Sequence, residues 1–541
     1  MSDIYQQLLQ AAIISESRVF SAQQATSVYG KTTFSDPVML DGAVQAICSK
    51  EICLLTELAN NLGFHLYPVS SAKNWGYGSI SDVETCKPKI VLDLSLMDKI
   101  YPTDKELGII TVEPGVTQQQ LFDYLQTHDW QYMTPVTGAG PNCSILANAL
   151  ERGYGITPRT DHFEAVTALK AVLPHPQLCK REYHSPISSL DKSNTDFIDK
   201  TYKWKLGPYL DGLMSQSNMG IVTQITIRLA RKPKAFTAFY LRSFDEENFT
   251  RLTHSVREIL RDLEGIVGSI NLMDRRRLVS MVAQNPNGTA HQVMSEQQVK
   301  QLAKQHDVPN WLIVGSIYGE PEVVKAAKKV IGNKLKGLGQ LLYSDSLLLK
   351  TAKQVTNHLN VGPLKTIRKQ LHSLELGMQI MLGQPNQVAL PLAYWRTSKV
   401  DTEQTLLPDQ DRCGLLWYAP LIPMHSDKMA SFVSFIRRTT PKFGIEPLIT
   451  FTNLKHDCVD STIPIVFNLE NKESREQAHH CLNMLVDEGV KQGFVPYRLN
   501  IVQQQKLLQP EHPHWQATAK IKEALDPNNV LSPGRYNPRA P

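Results

Sequence analysis

Apolar positions recur with helical spacing from about Asp41 to Leu66, which predicts an amphipathic helix. The pattern then tightens into the run Phe64-His65-Leu66-Tyr67-Pro68-Val69, a strand that empties into a loop of small and polar residues from Ser70 to Ser79. Further strands are predicted at Lys89 to Leu94 and at Leu107 to Val112. Glu113-Pro114-Gly115 turns the second of these into a helix that opens near Thr117, a hydroxyl suited to cap the following N–H groups. Residues 133–162 form a long glycine-punctuated segment with one short apolar patch. The stretch from Gly207 reads as helix-like and closes on Gly220, where a β-branched run to Ile227 marks a turn into a buried strand. Beyond Lys232-Pro233-Lys234 the pattern changes, and strands such as Trp311 to Ser316 alternate with charged helices such as Pro321 to Lys334 as far as about residue 485. Strands and helices are thus intermixed, so the fold class is α+β rather than a bundle or a sandwich.

A chain of 541 residues predicts two or three domains with ample core. Its net charge of +5 is small and dispersed, and no basic block is interleaved with aromatics, which argues against a nucleic-acid partner. The eight cysteines are scattered without a CxxC pair or a zinc-type spacing, so they read as reduced thiols and no metal is expected. No basic segment followed by an apolar run opens the chain, and no stretch reaches the ~18–20 apolar residues of a membrane span. A cytoplasmic protein without membrane contact is the expectation.

The loop after the first long strand carries the most chemistry. Ser70, Ser71, Ala72, Lys73 and Asn74 expose successive backbone N–H groups, two hydroxyls and an ammonium, a composition able to cradle a pyrophosphate. It is not the GxGxxG fingerprint, so NAD is not indicated, and taken alone such a loop is an ordinary turn.

Four segments together carry a resemblance: PVSSAKNWGYGS (68–79), ANALERGYGITPRTDHF (147–163), GPYLDGLMSQSNMGIVTQ (207–224) and LDPNNVLSPGR (525–535). In this order they resemble the flavoproteins of the p-cresol methylhydroxylase and vanillyl-alcohol oxidase family, with the second and third similar to its bacterial methylhydroxylase branch. The resemblance implies a two-part FAD-binding domain, 1–235 and 486–541, with an α+β cap domain over 236–485. It implies FAD contacts at residues 70–74, Gly76, Asn148, Gly155, Gly220, Ile221, Val222 and Arg535. It also implies a phenol-binding trio of Tyr77, Tyr497 and Arg498, with Arg535 beside the flavin pyrimidine edge. The residue types suit that chemistry: an arginine flanked by two phenolic donors favours an ionised substrate oxygen, and a fixed cation favours the anionic reduced flavin. The expected reaction is hydride transfer from a para-substituted phenol to flavin N5 through a quinone-methide-like intermediate.

The chain departs from the family pattern at several points. Ala72 stands where a glycine is common, adding a methyl where backbone approaches phosphate. The stretch about 396–413, which matches the family's covalent attachment site, contains neither His nor Tyr, and Tyr394, Tyr418 and His425 lie outside it. Cys143 reads as a buried thiol, so non-covalent FAD is expected. Segment 133–146 has no Asp or Glu, and Thr450 stands where a carboxylate is expected, with Glu446 four residues earlier. A missing base weakens water addition to a quinone methide and leaves desaturation or alcohol oxidation open. Two alternatives stand beside the phenol reading: an FAD-dependent 2-hydroxy-acid dehydrogenase on the same scaffold, and a flavin-binding protein without turnover. The resemblance further implies a homodimer and an electron acceptor that is either oxygen or a redox protein such as cytochrome c.

Overall fold

A computed structural model describes residues 4–80, 86–186, 197–345, 364–397 and 404–538. The amino-terminal part is built on two sheets. The first runs in the order Val19–Phe20, Gly42–Gln45, Lys89–Asp93, His65–Val69, and its last three strands are parallel. The second is antiparallel, in the order Ile100–Asp104, Ile109–Val112, Ile221–Arg228, Val166–Val172, Tyr183–His184.

The helix expected over 41–66 is shorter than its pattern. Gly42–Gln45 is a strand, and the helix occupies Ser49–Leu62, burying Ile52, Leu55, Thr56 and Ala59 at helical spacing. The strand lies between two others with Gly42, Ala43 and Val44 buried, so its short apolar run carries no period that separates it from helix. Gly63, at φ +76°, ends the helix in the left-handed conformation that glycine adopts without a Cβ penalty. Thr117 caps its helix as expected, in a reciprocal pair with Gln120. The helix-like stretch after Gly207 is reduced to the single 3₁₀ turn Leu210–Met214, because Gly207, Pro208 and Gly212 interrupt it.

Residues from Ala235 onward build one eight-stranded antiparallel sheet. Its order is Gln340–Ser344, Ala235–Ser243, Trp311–Gly319, Val267–Asp274, Thr450–Asn453, Cys458–Asn468, Cys413–Pro423, Val495–Arg498. Helices Phe249–Asp262, Pro321–Lys334, Ser426–Thr439 and Lys472–Lys491 supply the apolar side chains that cover it. The expected boundary at 485 falls inside the last of these helices, and strand Val495–Arg498 completes the cap sheet rather than the amino-terminal sheets.

The chain then returns to its first part. Leu66 N–H donates to the Val530 carbonyl at 2.8 Å, and Ser532 N–H donates to the Leu66 carbonyl at 3.0 Å. The Asp-Pro-Asn-Asn turn is held from within: Asp526 accepts from the N–H groups of Val530 and Leu531 at 2.8 and 2.9 Å. Buried Lys522 donates to Asp526 at 2.5 Å and to the carbonyls of Asn218 and Leu531 at 2.7 and 3.0 Å.

Candidate active site

Between the two parts lies a cavity of about 360 Å³, a size suited to a small-molecule ligand. Its walls include residues 70–74, Tyr77, Asn148, residues 220–222, Arg498 and Arg535, so most of the residues singled out in the sequence meet in one place. Gly76, Gly155 and Tyr497 stand behind that wall. Gly76 has φ +77°, and a Cβ there would lie 2.3 Å from Cδ1 of Trp417, a wall residue from the cap. A Cβ on Gly155 would meet the Val136 carbonyl at 2.4 Å.

The loop of residues 70–74 turns tightly at Ala72. Ala72 adopts φ +54°, the left-handed region favoured by glycine, so the loop keeps a glycine-type turn despite its methyl group. Asn218 also faces the cavity; its Nδ2 donates to the Ser532 carbonyl at 3.1 Å, while its buried Oδ1 has no partner among the described residues. An open acceptor, a nest of backbone donors and Lys73 together fit an extended nucleotide cofactor.

The motifs around Tyr77 and Arg498 are interlocked. Ile501 N–H donates to the Tyr77 carbonyl at 2.7 Å, and Asn500 Nδ2 donates to the Gly76 carbonyl at 3.1 Å. Arg498 donates to Asn74 Oδ1 at 2.5 Å, and its guanidinium lies 4.1 Å from the centroid of the Tyr77 ring. Strict alternation would turn Tyr497 and Arg498 to opposite faces of their strand. Instead the register shifts: Ala419 pairs with Arg498 but Pro420 with Pro496, which leaves Tyr497 as the extra residue of a bulge. A bulge lets two successive side chains share a face. Tyr497 accordingly packs beside Tyr154, ring centroids 6.3 Å apart.

Glu151, within the second motif, ties the cationic groups together. It pairs with Arg535, lies 3.3 Å from Arg498 Nε, and accepts from the Tyr536 hydroxyl at 2.9 Å. Burial alone would raise the Glu151 carboxyl, but Arg535 and Arg498 hold it below the usual range. Burial opposes the charge on Arg498, yet Glu151 and the neighbouring tyrosines raise its pKa overall. Two guanidiniums share one carboxylate, which leaves a net positive charge at this end of the cavity. Burial pushes the Tyr77 hydroxyl up despite Arg498 and raises Tyr497 further, so both remain proton donors at neutral pH.

A second carboxyl lies nearby. Asp460, buried on strand Cys458–Asn468, is pushed up to about 7 by desolvation, with Tyr154 as a partial counterweight. Tyr154 donates to, or accepts from, Thr462 on the same strand at 3.0 Å. Glu446, by contrast, is committed to structure, accepting from Met294 N–H at 2.9 Å and pairing with Arg276. Thr450 opens its strand opposite Met273 and Thr462.

Glu151, Asp460, Trp417 and the cap residue Arg277, which also lines the cavity, are absent from the sequence reading of the site. Glu151 lies inside a quoted motif, and an acid beside an arginine-rich site was a usable signal. The others come from cap strands and helices whose register no local pattern reveals. Of the stretch 396–413, residues 398–403 lie outside the described residues. Cys143 lines the cavity, whereas the Tyr394 hydroxyl pairs with Asp411 and the Tyr418 hydroxyl donates to the Phe494 carbonyl at 3.0 Å.

Residues 41–180 match the model of an FAD binding domain. The 1'-carboxy-chondrochloren decarboxylase of Chondromyces crocatus is 30% identical over 97% of this chain and 95% of its own length. The 4-cresol dehydrogenase [hydroxylating] flavoprotein subunit of Pseudomonas putida is 26% identical over 91% of this chain and 87% of its own. Among solved structures, p-cresol methylhydroxylase with substrate bound superimposes with a TM-score of 0.84 at 24% identity, covering 100% of this chain and 98% of that one.

Proposed function

Because the chain belongs to the p-cresol methylhydroxylase and vanillyl-alcohol oxidase family of FAD-dependent oxidoreductases, we propose that it oxidises a para-substituted phenol at the benzylic carbon. The observation that carries this reading is the stacking of Arg498 on Tyr77 in the cavity wall, with the bulged Tyr497 next to Arg498 in the chain. A permanent cation stacked on a phenolic donor suits a single ionised oxygen, which favours a phenol over a 2-hydroxy acid at this position.

When bound, FAD supplies the two-electron acceptor that takes up hydride. Residues 70–74 and Asn218 would hold its pyrophosphate and nucleotide portions, and Arg535 would face the ring. The protein's part is to keep the phenol oxygen ionised: Arg498 binds it, Tyr77 donates to it, and Glu151 fixes Arg498 in place. An ionised oxygen pushes electron density to the para-benzylic carbon, and loss of hydride there leaves a p-quinone methide. The attachment is non-covalent in this reading, since Tyr77 is the one tyrosine and no histidine is present among the described cavity residues.

A second outcome is favoured by a specific observation. The one carboxylate in the described wall, Glu151, is tied to two arginines, and no acidic residue occurs in 133–146 to activate water. A relative matching almost the whole chain is named a decarboxylase. A quinone methide whose neighbouring carbon bears a carboxylate needs no base: the C–CO₂ bond breaks, its electron pair forms the new C=C bond, the ring regains its phenolate and CO₂ departs.

Anaerobic titration of the purified protein tests the reading. Bleaching of the flavin by 4-alkylphenols supports it, bleaching by 2-hydroxy acids alone transfers the assignment to the dehydrogenase alternative, and no bleaching by either favours a protein without turnover. Colourless supernatant after acid precipitation would overturn non-covalent attachment.

A further inference from the structure

Registers in the cap sheet align into a single row. Arg498 pairs with Ala419, Tyr418 pairs with Ile463 so that Ala419 falls opposite Thr462, Thr462 pairs with Thr450, and Thr450 pairs with Met273. Directly opposed residues share a face. Leu415 and Trp417, which share the parity of Ala419, both line the cavity, so this is the face turned toward it. Four strand spacings separate the two ends of the row, roughly 19 Å at ~4.8 Å each. Arg498 stands at one end. At the other, the chain leaves Met273 and Asp274 for the helix Arg275–Val282, and Arg277 in its first turn reaches the same cavity.

Arg277 has no carboxylate of its own among the described residues. Neighbouring Asp274 is already engaged: Oδ1 accepts from the N–H groups of Arg277 and Ile449 at 3.0 and 3.1 Å, and Oδ2 lies 3.7 Å from Arg437. The Arg277 guanidinium makes one side-chain hydrogen bond among these residues, from Nη1 to Ser280 Oγ at 3.2 Å. Burial lowers its pKa to about 10 against the pull of Asp274, which leaves it charged at neutral pH. Among the described residues the cavity wall therefore carries four cations, Lys73, Arg277, Arg498 and Arg535, against the carboxylate of Glu151. Lys73 belongs to the pyrophosphate loop, and Arg498 with Arg535 shares Glu151; Arg277 is the cation left over, on the cap side. A cation facing a cavity with no carboxylate beside it lacks charge compensation, and a site that keeps one is suited to receive an anion.

The geometry points to Arg277 as the anchor of a carboxylate carried on the para side chain of the substrate, so that the enzyme acts on phenols with an acidic side chain. This rests on the phenol reading given above. Two arginines then grip opposite ends of one molecule: Arg498 the phenolate, Arg277 the carboxylate, with the benzylic carbon between them. Arg277 acts here in recognition; an ion pair stabilises the bound carboxylate and so does not itself drive CO₂ loss.

The test compares 3-(4-hydroxyphenyl)propanoate with 4-propylphenol on the FAD-loaded enzyme, using the substrate dependence of anaerobic flavin bleaching to obtain a Kd for each. The native enzyme should prefer the acid by on the order of tenfold or more. Arg277→Gln should bring the ratio to within about twofold, Arg277→Lys should keep part of the preference, and both should retain FAD by absorbance. A native enzyme without preference, an Arg277→Gln variant that keeps it, or loss of FAD from both variants would overturn the proposal. If neither phenol bleaches the flavin, the phenol reading falls and this inference with it; if 4-propylphenol bleaches it without any preference for the acid, the inference alone falls.

Discussion

The guanidinium of Arg498 lies over the ring of Tyr77, 4.1 Å from its centroid. The contact joins a loop of the amino-terminal part to the edge strand of the cap sheet. Stacking of this kind needs a planar, delocalised cation, and the hydrogen bond to Asn74 fixes its plane. Arg498→Lys should therefore be far from conservative. It keeps the charge but loses the stacked fork, and kcat/KM for a 4-alkylphenol should fall on the order of 10- to 100-fold, equivalent to about 1.5–3 kcal/mol. Absorbance of bound FAD serves as the control for an intact cofactor site.

Glu151 pairs with Arg535 and Arg498 and is itself largely buried. Glu151→Gln would leave two guanidiniums facing each other without compensation, a change that costs about 3–5 kcal/mol when a buried pair is broken from one side. Denaturant unfolding of the holoprotein should show a loss of that order. An effect below about 1 kcal/mol would mean that the cluster is solvated in solution.

Asp460 has its pKa raised to about 7 by burial, above the ~3.9 of an exposed aspartate. The folded protein then binds a proton more tightly than the unfolded chain does. The stabilising contribution of the neutral acid is complete below about pH 4 and is lost as pH rises through 7. Asp460→Asn should flatten that part of the stability profile, measured as Tm against pH between 4 and 8, and gain most over the native protein at the alkaline end.

Ala72 pays for its left-handed φ of +54° with a cost of roughly 1–2 kcal/mol for a residue bearing a Cβ. Glycine removes that strain and adds about 0.4–1 kcal/mol of unfolded-state entropy in the opposite direction. Ala72→Gly should thus stabilise the protein by up to about 1 kcal/mol, with FAD bound at least as tightly. A lower Tm in the variant would show that the methyl group packs productively.

The parts of the site that were legible in the sequence are those whose function depends on neighbours in the chain. The loop 70–74, Tyr77 with its flanking glycines, and the Asp526 turn before Arg535 are each organised by local bonds, so their motifs carry the geometry. Tyr497 and Arg498 were legible as a pair, but not the bulge between them, because the bulge exists only against strand Cys413–Pro423. Arg277 and Asp460 were illegible for the same reason: each is placed by a sheet whose strands pair out of chain order. Gly42–Gln45 read as helix because a strand buried between two neighbours carries no alternation.

The parallel contact of Leu66 with Val530 and Ser532 sets a schedule for biosynthesis. Residues 65–69 and their loop leave the ribosome early, yet the segment that backs them, with Arg535 and the Lys522 clasp, is made only after the entire cap. During translation the flank of strand His65–Val69 stays open until residues 530–532 have been made. A chain truncated before residue 530 should therefore bind flavin more weakly than the full chain, measured as flavin absorbance retained after purification.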